Sequence, residues 1–305
     1  MSLEQMSLET PPALPFDEWR ETCETLHMWA QVVGKVRLAQ TPLVNHWWNV
    51  PLYLTARGLT TSAMPHGERT FQIDFDFVSH RLVFETSEGR TDALPLAPRT
   101  VADFYGEVMQ RLARLGVGVK IWTTPVEVPE PVPFEQDTAR AAYDPEYANR
   151  FWRALSWSAR AFEEFRAGFV GKCSPVHFFW GSFDLAVTRF SGRRAPEREG
   201  ADAVTREAYS HEVISHGFWP GGAAFPHAAY YSYAAPEPAG LKMAPVRPAD
   251  AFYSTEMSEF LLRYEDVRRA ASPAAALTEF LQSTYDAGAD LANWDRAALE
   301  RTAVG

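Results

Sequence analysis

The sequence predicts an α+β protein built of two pseudo-symmetric halves, each made of a helix, three strands of antiparallel sheet and a second helix. Three observations support this prediction: an internal repeat, strands whose apolar residues alternate, and helical patterns on both sides of the strands in each half. We expect residues 1–14 to form a mobile tail and residues 15–305 to form one domain, with the halves at 15–133 and 134–305.

The internal repeat joins two aromatic-rich stretches. Ser174–Gly192 (SPVHFFWGSFDLAVTRFSG) aligns without a gap on Thr41–Leu59 (TPLVNHWWNVPLYLTARGL) at a constant separation of 133 residues, which pairs Trp180 with Trp47. Interpreted as strands, both copies have the same alternation of apolar and polar faces, which a slip of one residue would exchange. We therefore expect the two copied strands to lie close to a pseudo-twofold axis.

The first half is predicted from local patterns. A helix should begin at Phe16, where apolar residues start to recur every three or four positions, and end at Gly34. Three strands are predicted next, of which RTFQIDFDF alternates most strictly: residues 45–57, 69–77 and 80–86. A helix at 101–115 and a short strand at 117–122 complete this half.

The second half is predicted to repeat this plan after a proline-rich linker, TTPVEVPEPVP, at Thr123–Pro133. Its elements are a helix (145–169), the copied strand (174–192), a charged loop (193–205), two strands joined by Pro220–Gly222 (210–236) and a last helix (273–287). Residues 259–267 suit either a third strand or the start of a helix.

Composition excludes several classes of partner. The chain has 305 residues, a net charge of −10 and no long basic run, so we expect no nucleic acid partner. No segment approaches the roughly 20 apolar residues of a membrane span, and the first residues lack the pattern of a secretion signal. These features and the two cysteines, expected to be free thiols, predict a cytoplasmic protein. The sequence makes no prediction of oligomeric state.

The second face of the copied strands mixes large rings with small polar groups. Its members are Trp47, Asn49 and Tyr53 in the first copy and Trp180, Ser182 and Asp184 in the second. Such a mixture suits a small-molecule cavity, which needs apolar walls and a few orienting polar groups. The alternative is a closed interface in which the two halves pack these faces together.

Acid–base and metal chemistry have separate candidates. Asp184 lies in an apolar strand, where a carboxylate is either paired with a cation or has a raised pKa, and His211 is the second acid–base candidate. A metal site would need His177, His211, His216 and His227 to converge, but their spacing matches no familiar metal motif. We therefore predict no metal ligands and no cofactor. Nucleophile elbows and phosphate-binding loops are also missing from the sequence.

Four segments resemble a bacterial family of unknown function, domain of unknown function 5996: NHWWNVPLYLTARGLTT, GKCSPVHFFWGSFDLAVTRFSGRRAP, YSHEV and GFWPGG. The resemblance extends from about Leu14 to Arg301. It implies no activity, cofactor or catalytic residue, so the functional prediction depends on the residues themselves.

We expect a small-molecule binding protein or a cofactor-independent enzyme with an aromatic, partly polar cavity between the halves. The expected lining is Trp47, Asn49, Tyr53, Trp180, Asp184, His211 and Tyr231, with Ser182 as a further ligand contact. The alternatives are a structural or protein-interaction module with a closed core and, third, a metal-dependent enzyme that uses the strand histidines.

Overall fold

The computed structural model describes residues 10–301 and divides the chain into two compact units. The N unit comprises Asp17–Trp152 and His177–Asp184, and the C unit comprises the described residues up to Phe16, Arg153–Val176 and those from Leu185 onward. Helices and antiparallel sheets occur in both, so the α+β class is confirmed. None of the helices within residues 10–301 combines the length and apolarity that a membrane crossing requires.

The N unit packs helices on an antiparallel sheet. Its helices are α1 (Phe16–Gln40) and α2 (Val101–Arg114). Its strands are β1 (Tyr53–Leu54), β2 (Gly58–Thr60), β3 (Met64–His66), β4 (Arg69–Asp76), β5 (Arg81–Thr86) and β6 (Thr91–Pro95), in the order β1-β2-β4-β5-β6 with β3 also paired to β4. The core includes the fully buried Trp29 of α1, which stacks on Phe104 of α2 with ring centroids 4.5 Å apart.

The predicted strand at 45–57 is wrong in its first half. Asn45–Trp47 form a short 3-10 turn in which His46 and Trp47 have left-handed φ angles of 59° and 61°. The Asn49 side chain closes this loop, because it accepts from the Val44 amide at 3.3 Å and donates to the Thr41 hydroxyl at 3.4 Å. Local side-chain bonds thus replace a strand ladder. Residues 117–122, a predicted strand, also form no strand.

The predicted end of α1 at Gly34 is also wrong, because the helix continues to Gln40. Gly34 does not end the helix. It permits a close contact with another side chain. A β-carbon at Gly34 would stand 2.3 Å from the indole ring of Trp180, so only glycine lets the ring lie against the helix backbone.

The C unit contains five antiparallel strands in the order β11-β12-β10-β9-β8. They are β8 (Asp184–Arg194), β9 (His211–Trp219), β10 (Ala229–Ala235), β11 (Phe252–Ser254) and β12 (Glu259–Arg263), and β8 belongs to this unit from Leu185 onward. The helices are α4 (Ala203–Ala208), α5 (Tyr264–Arg269), α6 (Pro273–Leu291), α7 (Arg296–Leu299) and the part of α3 (Pro145–Ala167) from Arg153 onward. Residues 259–267 therefore form both a strand and a helix start, and the predicted loop at 193–205 contains the beginning of α4.

The predicted strand at 174–192 is interrupted. A short strand, β7 (His177–Phe179), is followed by a turn through Trp180–Phe183, and β8 begins only at Asp184. Phe183 has a left-handed φ of 60°, which ends the extended conformation. Trp180 and Ser182 therefore lie in a turn rather than on a strand face. The two repeat copies differ in local structure, and the pseudo-symmetry of the halves stays a prediction.

The predicted tail is only partly described. Residues 1–9 lie outside the described residues, and 10–15 form no helix or strand. Leu14 is buried, and the hydroxyl of Tyr264 donates to the Pro12 carbonyl at 2.8 Å, both within the C unit. The division into one domain of two halves stays a prediction.

Candidate functional site

Two segments of the N unit are joined by a backbone bridge. Leu52 and Phe178 exchange both amide-to-carbonyl hydrogen bonds, each 2.9 Å long. This bridge places β7 beside the residues that follow the loop Thr41–Asn49. The side chains of both segments therefore meet within one unit.

An aromatic–arginine cluster surrounds this bridge. Its members are Arg37, His46, Trp48, Tyr53 and His177. The ring of Trp48 lies 5.3 Å from that of His46 and 5.8 Å from that of His177. The ring of Tyr53 is 5.5 Å from that of His177, and its hydroxyl is 3.4 Å from Nε2 of the same histidine, a long contact for a hydrogen bond. Trp48 and Tyr53 are half-buried, whereas the other three side chains are buried.

Arg37 is the unusual member of this cluster. It comes from the last turns of α1, is only 7% exposed, and its guanidinium carbon lies 5.5 Å from the centre of the Tyr53 ring. Nη1 donates to the Thr61 carbonyl, but Nε has no partner among residues 10–301, and no described carboxylate forms a salt bridge with this side chain. Burial lowers the pKa of Arg37 from its ordinary value, and Tyr53 partly opposes this shift.

Three of the predicted ligand residues lie at or next to this cluster. Tyr53 belongs to it. Trp47 is half-buried, and its indole N–H is buried without an acceptor among the described residues. Asn49 is buried, and its side chain is occupied by the hydrogen bonds that close its own loop. Trp47 therefore has a free donor, whereas Asn49 has a structural role.

Trp180 is held in place by both its ring and its nitrogen. The ring packs on Gly34, and the indole N–H donates to the Val50 carbonyl at 2.8 Å. This predicted ligand residue is buried and fixes the turn that follows β7.

Two carboxylates lie next to that turn, Asp184 at the start of β8 and Glu127 in the proline-rich segment. Asp184 is only 5% exposed and accepts a hydrogen bond from the Ser182 hydroxyl. The carboxylate of Glu127 lies against Gly181, because a β-carbon there would stand 2.4 Å from Oε1. Although Glu127 is an exposed residue, surrounding protein atoms desolvate its carboxylate and, together with the charge of Asp184, raise the pKa of Glu127.

The neighbouring face of α1 is polar. Nε2 of His27 lies 2.8 Å from the Gly181 carbonyl and donates to it. Burial lowers the pKa of His27 to about 4, so this imidazole is neutral near neutral pH. Gln31 exchanges two hydrogen bonds with the backbone of Val126, at 2.8 and 2.9 Å.

The proline-rich segment Thr123–Pro133 is consequently bound to α1 rather than being a free linker. Besides the Gln31 contacts, Nζ of Lys35 donates to the Thr124 carbonyl at 2.7 Å and lies 4.3 Å from the centre of the Trp122 ring. Burial lowers the pKa of Lys35 to about 8. These contacts place Glu127 beside Gly181.

The other two predicted site residues belong to the C unit. His211 is half-buried at the start of β9, where Nδ1 lies 3.1 Å from the Ser210 hydroxyl, and its pKa is lowered by burial and by nearby Lys172 and Arg194. Tyr231 of β10 lies flat over Gly217 and stacks on Tyr233 at 6.1 Å. The six other predicted residues are all in the N unit.

Comparison with known proteins gives one positive result. A family model described as "Family of unknown function (DUF5996)" matches residues 11–301. The chain belongs to this family. No curated protein and no solved structure matches the chain. Membership of DUF5996 thus confirms the resemblance seen in the sequence and contributes no activity.

Sequence reasoning did not place five residues in this candidate site: His27, Arg37, His46, Trp48 and Glu127. A signal for the first existed, because His27, Gln31 and Lys35 recur every four residues and place polar groups on one face of an otherwise buried helix. No local pattern indicates Arg37 or Glu127. Within residues 10–301, no group of three or more His, Cys, Asp or Glu side chains is placed to hold a metal ion.

Proposed function

We propose that the protein binds a small molecule at the aromatic–arginine cluster, as a binding protein or as a cofactor-independent enzyme. The observation that supports this proposal is Arg37, a buried cation with an unused Nε–H and no carboxylate partner in the described chain. A buried charge that lacks a compensating opposite charge is costly. A ligand that brings an acceptor would supply this partner.

The surroundings of Arg37 have the mixed chemistry of a ligand site. The half-buried rings of Trp48 and Tyr53 offer apolar walls, and the free indole N–H of Trp47 is a further donor in the same loop. Left-handed backbone at His46 and Trp47 costs of the order of 1 kcal/mol per residue, and such strain is concentrated at functional positions. These features favour binding over a purely structural role.

If the protein is an enzyme, we propose that Asp184 and Glu127 carry its acid–base chemistry. Ser182 holds one oxygen of Asp184, and Glu127 has the raised pKa that a proton donor needs. His27 is assigned a positioning role, because its neutral ring donates to the carbonyl of Gly181 beside Glu127. We also propose a cytoplasmic location, consistent with the two free thiols.

The competing proposal is a structural or interaction module, in which the same rings only fill a core. The two proposals differ in whether a ligand accompanies the native protein. Native mass spectrometry of protein purified from its own host is the test. We expect the wild-type protein to carry a bound small molecule that Arg37→Met loses.

The matched control is Lys35→Met, which removes another buried cation from the same helix two residues earlier. Its amine is satisfied by the Thr124 carbonyl, so we expect this variant to retain the bound molecule. A wild-type mass equal to that of the bare chain, together with no stabilisation by any member of a metabolite library, would contradict the proposal.

A further inference from the structure

We propose that the ligand is a small aromatic carboxylate whose carboxylate group is anchored by Arg37. This inference rests on the proposed binding function and names its ligand class. The charge of Arg37 has no opposite charge beside it among the described residues. Its side chain is buried, no described carboxylate pairs with it, and its ionisation is influenced by burial and by Tyr53. An anion is therefore the complement that this side chain lacks.

The geometry of the Arg37 guanidinium also favours a carboxylate. The guanidinium is a planar fork, and Nη1 is already used by the Thr61 carbonyl while Nε is free. An N–H on a charged fork forms short, directional bonds to a carboxylate oxygen, which is the planar anion that best matches it. The Tyr53 hydroxyl accepts a side-chain hydrogen bond from Arg37 and makes a long contact with His177, so its own O–H is the adjacent group that can donate to the second oxygen.

The rings of the aromatic–arginine cluster favour a ligand that is itself aromatic. The ring of Tyr53 lies beside Arg37, and His177 meets both Tyr53 and Trp48 edge to face. The two half-buried rings leave aromatic surface in contact with solvent, and a flat aromatic body would cover it by stacking. A short aliphatic acid would leave this surface exposed.

A phosphate group is the less suitable anion. Phosphate sites combine several cations or a series of backbone N–H groups at a helix start. Here the cation comes from the C-terminal part of α1, and the buried lysine of that helix, Lys35, donates to Thr124 instead. One guanidinium and one hydroxyl match a carboxylate.

The test is a titration followed by ¹⁵N NMR of the Arg37 Nε–H signal, assigned by its loss in Arg37→Lys. The probes are sodium benzoate, its uncharged isostere benzamide, sodium phosphate, and sodium chloride at matched ionic strength. We expect benzoate alone to shift the signal saturably and to raise the melting temperature by mass action. Arg37→Met should weaken benzoate binding about 30-fold or more, whereas Lys35→Met should leave it unchanged.

Each contrary result has a distinct meaning. An equal response to benzamide would overturn the anionic anchor while leaving small-molecule binding intact. A response to phosphate and not to benzoate would assign the site to phosphate esters. No response to any probe, with a bound molecule still seen on the native protein, would refute the carboxylate class alone. No response and no bound molecule would refute both proposals. If Arg37→Met does not fold, Arg37→Lys provides the comparison, because it retains the charge and loses the planar fork.

Discussion

The indole ring of Trp180 lies directly against the α-carbon of Gly34. The same ring donates its N–H to the Val50 carbonyl at 2.8 Å, just before the bridge between Leu52 and Phe178. One side chain therefore joins α1 to the segment that leads into the aromatic–arginine cluster. The position of that cluster depends on a glycine in the middle of a helix.

The first prediction is that Gly34→Ala destabilises the protein although alanine favours helices. The added methyl group would collide with the Trp180 ring, and overpacking of this kind costs about 1–3 kcal/mol. Gly106→Ala in α2 is the matched control, because nothing lies within 4 Å of its β-carbon position. The control should gain up to about 1 kcal/mol from helix propensity. Urea unfolding measures the free energy of unfolding of both variants. Equal stabilisation of the two would disprove the contact between Gly34 and the Trp180 ring.

The second prediction concerns His27 and acid. Its pKa in the folded protein is about 4, below the ordinary value of 6.5, so the unfolded chain takes up the proton first as the pH falls. Stability should decrease between about pH 6.5 and pH 4, by up to about 3 kcal/mol from this residue. His27→Gln should remove that part of the decrease. The test compares the free energy of unfolding at pH 7 and pH 4.5 for the wild-type protein and for His27→Gln. Identical losses of stability in the two proteins would refute the prediction.

The third prediction concerns Asp76 at the end of β4. Burial alone would raise its pKa, but hydrogen bonds from Arg57, Ser79 and Val78 lower the pKa to about 2. The resulting stabilisation is present above about pH 3.8 and is lost as the pH falls through about 2. Asp76→Asn should cost about 1–2 kcal/mol at pH 7, reduced from the full value because Arg57 is exposed. Asp74→Asn on the same strand should cost less, and a reversed order would show that these hydrogen bonds do not stabilise the turn.

The fourth prediction concerns a buried hydroxyl pair in the C unit. Ser158 donates to the Ala154 carbonyl at 2.8 Å, so the Tyr230 hydroxyl donates to Ser158 across 3.0 Å. Tyr230→Phe and Ser158→Ala should each cost about 1–3 kcal/mol, since each removes a buried hydrogen bond. The double variant should cost less than their sum, with a coupling of about 1 kcal/mol. Strict additivity in a double-mutant cycle would show that the two hydroxyls do not interact.

Local patterns predicted the regular elements that a sequence determines over short distances. The alternation of Arg69–Phe77 predicted β4, and helical periodicity predicted α2, α3 and α6 closely. The copied stretches were predicted wrongly because single residues decide their local structure. Asn49 closes the first copy into a loop through its side-chain hydrogen bonds, and a left-handed Phe183 interrupts the second. Features of this kind produce no periodic pattern.

The sequence indicated some residues of the candidate site but not Arg37 or Glu127. Aromatic and polar residues of the copied segments indicated Trp47, Tyr53 and Asp184 from sequence alone. Arg37 and Glu127 could not be found in this way, because a buried cation that no described carboxylate pairs with and a carboxylate beside a glycine are results of tertiary packing. Their roles follow only when α1, the proline-rich segment and β7 are brought together.

The proposed function requires that Arg37 donate to an acceptor that is not part of the protein. A crystal structure of protein purified from its own host, without added ligand, tests this most directly. We predict a bound small molecule with an oxygen about 2.7–3.2 Å from Nε of Arg37 and a planar body beside Trp48 and Tyr53. The account is contradicted if Nε of Arg37 instead donates to an acceptor of the protein itself and the rings of Trp48 and Tyr53 pack only on protein atoms.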